Sequence, residues 1–276
     1  MIPRANITAW RIVAPWPLDE QVEQDLILSR ALAEIFSRPA LRSGLAFRGG
    51  TALHKLCFET PGRYSEDLDL VQVMAGPIRP LVEELQKALD PWLGKPAVEP
   101  RHDGIRLQYS YLSTVEPVRR MRVKIEVNTR EHFAVDGFRE SPHAIDNPWY
   151  SADGAITTYS VEELLATKLR ALYQRRKGRD LFDLSQALTL LRPDEERVVE
   201  CMETYLANAG MAVSRAEYEA NMARKLSLPG FRSDVLPLLI TGTVYHVDEA
   251  FALVHERLIS RMRGEAWKGR ISGVTP

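Results

Sequence analysis

Two aspartates, Asp67 and Asp69, stand a short distance after a pair of glycines, Gly49 and Gly50, and no other stretch of the sequence combines chemistry-bearing residues so densely. In Arg63-Tyr64-Ser65-Glu66-Asp67-Leu68-Asp69-Leu70 the alternation from Asp67 on is that of a strand, with both carboxylates on one face and Leu68 and Leu70 on the other. At about 3.3 Å of rise per residue, the two Cα atoms lie roughly 6 to 7 Å apart, and the carboxylates can converge on a divalent cation. Upstream, Leu45-Ala46-Phe47 reads as a short strand that runs into Gly49-Gly50-Thr51 and then a helix carrying Leu53, Leu56 and Cys57. Glycines at such a turn let a phosphate reach the backbone N–H groups of the helix N-terminus, because no Cβ stands in the way. Ser65 would lie beside the phosphates with a hydroxyl donor; a turn or strand-start role is its other reading.

The elements that must hold these residues can be laid out along the chain. Residues 1–17, with Trp10, Trp16 and three prolines, read as an extended arm on the surface. Asp19 suits the start of a helix through about Ser37, with Val22, Leu26, Ile27, Ala31, Leu32 and Ile35 at helical spacing. Pro77 suits the first turn of a helix that Pro91 ends. Gly104–Leu112 and Val118–Asn128 alternate as strands and predict an antiparallel hairpin that continues the sheet. On the second of these, Lys124, Glu126 and Asn128 share the polar face, which makes Glu126 the natural third carboxylate. Residues 129–155 read as a long connection, with one short strand near Ile156, and mark the domain boundary.

From there the pattern is helical. Ser160-Val161-Glu162-Glu163 has the form of a capping box and opens a stripe of Val161, Leu164, Leu165, Leu169 and Leu172 that includes Lys168. Arg179-Asp180-Leu181-Phe182-Asp183-Leu184 opens the next helix, and others are predicted at 194–208, 214–225 and 246–263, with 233–240 ambiguous. The expected fold class is α+β: a mixed sheet with flanking helices over residues 1–155, followed by a mainly helical part over 156–276 that completes the active-site cleft. Lys168 either snorkels at the edge of its apolar stripe or turns its ammonium toward a triphosphate, and Asp183 and Asp180 serve either that site or a bridge locking two helices. Basic residues gather at Arg120, Arg122 and Lys124 and again at Arg175, Arg176, Lys177 and Arg179, a candidate path for an RNA backbone.

Composition narrows the class. With 276 residues, 45% of them hydrophobic and 26% charged, the chain is ordinary globular protein, and a net charge of −1 means that any nucleic-acid binding must come from local patches. Two cysteines exclude a disulfide framework or zinc cluster, and the six histidines show no metal-ligand spacing. No Gly-x-Ser-x-Gly, Walker A or Rossmann fingerprint is present, which argues against hydrolase, P-loop and dehydrogenase chemistry. Without a signal peptide or a long apolar run, a cytoplasmic protein with no membrane association is expected.

The strand, glycine turn, helix and Asp-x-Asp strand resemble the minimal nucleotidyltransferase superfamily. The fuller string, Gly49-Gly50-Thr51-Ala52-Leu53 with Arg63-x-Ser65-x-Asp67-x-Asp69, and later Lys168 with Arg179-Asp180-x-x-Asp183-Leu184, resembles the AbiEii/AbiGii branch that includes the MenT toxins. The resemblance spans roughly residues 45–190. It implies a nucleotidyltransferase toxin of a toxin-antitoxin (type IV-like) or phage-defence system, with NTP as substrate, Mg²⁺ or Mn²⁺ as cofactor, a tRNA 3′ end or other RNA as acceptor, and a cognate antitoxin encoded nearby. Carried onto this chain, Asp67 and Asp69 bind metal, Gly49, Gly50 and Thr51 meet the nucleotide, Ser65 assists at the nucleotide or is a modification site, Lys168 holds the triphosphate and Asp183 completes the site. Glu126 as third metal ligand follows from the strand pattern alone. Two alternatives keep part of the pattern: transfer of the nucleotide to a small molecule or a protein, and a non-catalytic nucleotide-sensing module.

Overall fold

The computed structural model describes residues 2–269. The chain divides into two units, Met1–Tyr159 and Ser160–Pro276, each considered by itself.

The first unit is built on a seven-stranded sheet of β1 (Leu45–Arg48), β2 (Asp67–Gln72), β3 (Ala97–Arg101), β4 (Gly104–Leu112), β5 (Arg120–Asn128), β6 (Arg139–Ile145) and β7 (Ala152–Thr158), in the order β3-β4-β5-β2-β1-β7-β6. The sheet is mixed: β2 runs antiparallel to β1 and parallel to β5, and β1 runs parallel to β7. The predicted hairpin of β4 and β5 is present in register from Gly104 opposite Asn128 to Leu112 opposite Arg120. Leu107, Tyr109, Val123, Ile125 and Val127 are buried from it, as their alternation requires. Helices α1 (Arg4–Trp10), α2 (Asp19–Phe36), α3 (Pro39–Gly44), α4 (Gly49–Leu56) and α5 (Arg79–Leu93) complete the unit.

Three expectations are corrected. The first 17 residues are not an extended surface arm: Pro3 sits at the N-cap of α1, and Trp10 and Trp16 are buried, with the Trp10 indole N–H donating to Asp25 Oδ1 at 2.9 Å. Between residues 129 and 155 the sequence forms a second hairpin, β6 with β7. Its β6 strand is polar and carries Pro142, both tolerated because β6 is the last strand of the sheet and one edge needs no N–H donor. Pro91 lies inside the last turn of α5, and the helix stops at Gly94, whose φ of +78° suits glycine.

His143 on β6 packs toward α2, its Nε2 3.3 Å from the Ser29 carbonyl. Burial, and then the nearby Lys55 ammonium, push its pKa from 6.5 down to about 4. Between those values the unfolded chain binds a proton that the folded chain refuses, so stability falls as pH drops from 6.5 toward 4. His143→Gln, which keeps an N–H donor but does not titrate, is expected to lose less stability over that window; thermal melts of both proteins at pH 7, 5.5 and 4.5 measure the difference.

The second unit is helical: α6 (Val161–Gln174), α7 (Gly178–Leu190), α8 (Glu195–Asn208), α9 (Arg215–Leu226), α10 (Pro229–Ser233) and α11 (Val247–Arg257). Ser160 caps α6 by accepting the Glu163 N–H at 3.1 Å, and the buried Glu163 carboxylate accepts the Tyr205 hydroxyl at 2.6 Å, tying α6 to α8. The last predicted helix is shorter than its pattern suggested, ending at Arg257 before a 3₁₀ turn over Ile259–Arg261. The ambiguous stretch at 233–240 contains a 3₁₀ turn at Leu236–Leu238.

Candidate active site

The strand–glycine–helix unit forms as its residues dictate. β1 is buried from Leu45 to Phe47, and Arg48 in extended conformation hands the chain to Gly49, at φ +83°, from which α4 starts. A side chain at Gly49 would be strained by that φ and would collide with Asp69, since a Cβ there would stand 2.2 Å from Asp69 Oδ2. The glycine turn and the second aspartate are thus in direct contact. The backbone of the turn and the Asp69 carboxylate share one spot.

Strand pairing sets a charged row beside them. Arg48 on β1 pairs with Asp69 on β2, Asp69 with Glu126 on β5, and Glu126 with Arg106 on β4, so four charged side chains stand on one face across four strands. One pair along, Asp67 neighbours Lys124, whose Nζ is 3.2 Å from Asp67 Oδ1. Arg48 forms an ion pair with Glu131, and Arg106 Nε donates to Glu126 Oε1 at 2.7 Å. Glu126 is therefore beside Asp69 in register, as its place on the polar face predicted, and is held by Arg106. Among the described residues no group of three His, Cys, Asp or Glu is arranged to hold a metal ion.

The Asp67 carboxyl has its pKa pushed up to about 6, first by burial and then by Asp69 and Glu66, against the pull of Lys124. Two carboxylates crowded on a half-buried face repel each other, and a hard divalent cation with oxygen ligands relieves that repulsion. The Asp67 and Asp69 pair fits such a cation.

Thr51, buried in the first turn of α4, fixes the helix to β2. Its Oγ1 lies 2.6 Å from the Asp67 carbonyl and 2.7 Å from Ser65 Oγ. A threonine hydroxyl has one proton and a carbonyl only accepts, so Thr51 donates to Asp67 and Ser65 donates to Thr51. Ser65 thus spends its proton inside the protein and presents lone pairs outward. Thr51→Val should cost about 1–3 kcal/mol by leaving the Asp67 carbonyl unmatched. Thr51→Ser should recover most of it in the same denaturation series.

Of the predicted RNA contacts, Arg120 and Arg122 are exposed and share the face of β5 that carries Lys124 and Glu126. In the second unit Lys168 is buried, with Nζ 2.9 Å from Asp183 Oδ2 and 3.2 Å from Asp180 Oδ1. Arg175 grips Asp180 with two hydrogen bonds of 2.6 and 2.7 Å, and Lys177 and Arg179 lie 3.6 and 3.8 Å from Asp234. Arg176 alone of that group has no carboxylate partner among the described residues. Sequence reasoning missed Arg48, Glu131 and Arg106; the parity of Arg106 opposite Glu126 in the predicted hairpin was the signal that could have found the last.

A mixed sheet with a glycine turn against an Asp-x-Asp strand is the nucleotidyltransferase fold. The structure superposes on MenT4, a nucleotidyltransferase toxin from Mycobacterium tuberculosis H37Rv, with a TM-score of 0.63 at 17% identity, covering 95% of this chain and 91% of that one. It also superposes on JHP933 from Helicobacter pylori, with a TM-score of 0.55 at 14% identity, over 87% of this chain and 90% of that one. No match was found among curated proteins by sequence. The family described as nucleotidyl transferase AbiEii toxin, type IV TA system, matches residues 30–264, and the chain belongs to that family. Membership implies an antitoxin partner. Among the described residues, no helix is long and apolar enough to cross a membrane.

Proposed function

We propose that this chain transfers a nucleoside monophosphate from an NTP to an RNA acceptor, the tRNA 3′ end, as the cytoplasmic toxin of a toxin-antitoxin pair. The observation that supports the proposal is the contact of Gly49 with the Asp69 carboxylate, where a phosphate on the glycine turn would meet a cation on the carboxylate. Asp67 and Asp69 would hold Mg²⁺ or Mn²⁺, and Glu126, beside Asp69 in register, would have to turn from Arg106 to serve as third carboxylate. When bound, such an ion neutralises the triphosphate and makes a hydroxyl more acidic.

The backbone at Gly49 and Gly50 binds the triphosphate, and Ser65, its proton given to Thr51, orients a donor on the nucleotide or its water. Arg120 and Arg122 lead the RNA backbone along the face of β5, and Arg175, Arg176, Lys177 and Arg179 are the corresponding cations of the second unit. The RNA hydroxyl forms a bond to the α-phosphorus, the bond to pyrophosphate breaks, and the hydroxyl proton passes to water. Positioning supplies most of the acceleration. The family's second motif would make Lys168 a cation for the triphosphate and Asp183 its acidic partner; within the second unit the two are bound to each other, Nζ 2.9 Å from Oδ2.

Each of the four α-labelled NTPs is incubated with the protein, Mg²⁺ and total tRNA, and the products are run on a denaturing gel. Label on tRNA from one preferred NTP is expected. Label on protein, or NTP consumption without labelled RNA, would move the acceptor to a protein or a small molecule; no consumption at all would contradict transferase activity.

A further inference from the structure

The cations of the second unit are mostly matched: Arg175 with Asp180, Lys177 and Arg179 with Asp234, Arg215 with Glu219, Arg232 with Asp248, and Arg257 and Arg261 with Glu195. Arg176, Arg224 and Lys225 differ. Among the described residues none of them has a carboxylate within ion-pair distance, and all three line one pocket of about 400 Å³ with Asn221, Ser227 and Leu228. No acidic side chain lines it. Three uncompensated cations around a concavity of ligand size leave a positive potential that an anion would relieve.

The pocket's interior is built rather than a chance meeting of surface side chains. Lys225 is buried at 4% exposure, and its Nζ donates to the carbonyls of Leu172 and Tyr173 at the C-terminal end of α6. Two of its three protons are thereby used and one remains. Burial, together with the neighbouring Arg176 and Arg224, pulls its pKa down to about 8, while Asp180 at longer range works the other way. Asn221 contributes an amide whose buried Oδ1 has no hydrogen-bond partner. Rotated half a turn, the same amide presents N–H donors in that place. Arg176 and Arg224 are exposed at the rim, where planar guanidinium forks suit the oxygens of a phosphate.

We propose that this pocket binds a phosphate group, with Arg176 and Arg224 closing on its oxygens and Lys225 and Asn221 forming its floor. The phosphate comes either from the backbone of an RNA or from free phosphate or nucleotide; only the first source rests on the RNA-transfer reading.

The test uses the full chain and the double variant Arg176→Gln/Arg224→Gln, which changes two exposed side chains and leaves the bonds of Lys225, on α9, to the α6 carbonyls of Leu172 and Tyr173 in place. In the first arm inorganic phosphate is titrated into ¹⁵N-labelled protein while the Asn221 side-chain amide and Arg224 Nε–H signals are followed. Wild type is expected to show saturable shifts, and the variant's Asn221 response should weaken at least tenfold in affinity. In the second arm the affinity for a fluorescein-labelled tRNA transcript is measured against salt. If RNA supplies the phosphate, the slope of log affinity against log salt becomes shallower in the variant by about 0.7 to 0.9 for each phosphate no longer neutralised.

A phosphate response abolished in the variant with an unchanged RNA slope supports the site and assigns it to free phosphate or nucleotide. Absence of a saturable phosphate response in wild type, or a response the variant retains, overturns the proposal whatever the RNA arm shows. Neither arm requires catalysis, so a failure of nucleotidyl transfer would leave the outcome for this pocket readable.

Discussion

Lys168→Met is expected to destabilise the helical unit by about 3–5 kcal/mol, the cost of removing one member of a buried ionic cluster. Asp180 and Asp183 are fully buried, and Lys168 Nζ reaches both. Burial alone would raise the Asp180 carboxyl, but Lys168 and the bidentate Arg175 outweigh it and hold Asp180 below the usual carboxylate range. Without Lys168 the two carboxylates keep their burial and lose their shared cation. A lowered urea midpoint of the helical circular-dichroism signal is the readout, and Lys168→Met combined with Asp183→Leu, which removes charge of both signs, should recover part of the loss. A variant as stable as wild type but devoid of transfer would instead mean that Lys168 acts mainly on the nucleotide.

Gly49→Ala should reduce transfer by about a hundredfold or more, the scale on which a misplacement of roughly 1 Å acts on a positioned reaction. The added Cβ would lie 2.2 Å from Asp69 Oδ2 and 3.0 Å from its Cγ, so Asp69 or the turn must move, and φ at +83° adds strain of its own. Gly76→Ala is the matched control, because a Cβ at Gly76 meets nothing within 4 Å and its φ is not in the left-handed region. Steady-state transfer rates and thermal melts of both variants separate the effects. Equal activity of Gly49→Ala and wild type would mean that contact between the turn and Asp69 is not needed for catalysis.

What could be read from the chain divides along physical lines. The strand, glycine turn and Asp-x-Asp strand were legible because each step is local: φ freedom at glycine, period-two alternation, and an apolar stripe with helical period. Glu126 stands beside Asp69 in register because parity along a strand survives into the sheet. Its grip by Arg106 was not read, since it depends on cross-strand register. The β6 strand was hidden because an edge strand with one wet face has little apolar signal, and Pro142 reads as a breaker until its edge position is known.

The arm of residues 1–17 failed for a related reason: prolines at 3, 15 and 17 suggested extension, whereas burial of Trp10 and Trp16 is a tertiary fact. Lys168 showed both faces of the problem. Its place on an apolar stripe was visible, but only the folded chain brings Asp180 and Asp183 onto its ammonium.

The most direct measurement compares NTP labelled at the α-phosphate with NTP labelled at the γ-phosphate, incubated with tRNA and Mg²⁺, for wild type and Asp69→Ala. Transfer of α-label and not γ-label to RNA by wild type, and of neither by a folded Asp69→Ala, is the predicted result. Transfer of γ-label, or full α-transfer by Asp69→Ala, would contradict the assignment of the Gly49 and Asp69 pair as a nucleotidyl-transfer centre.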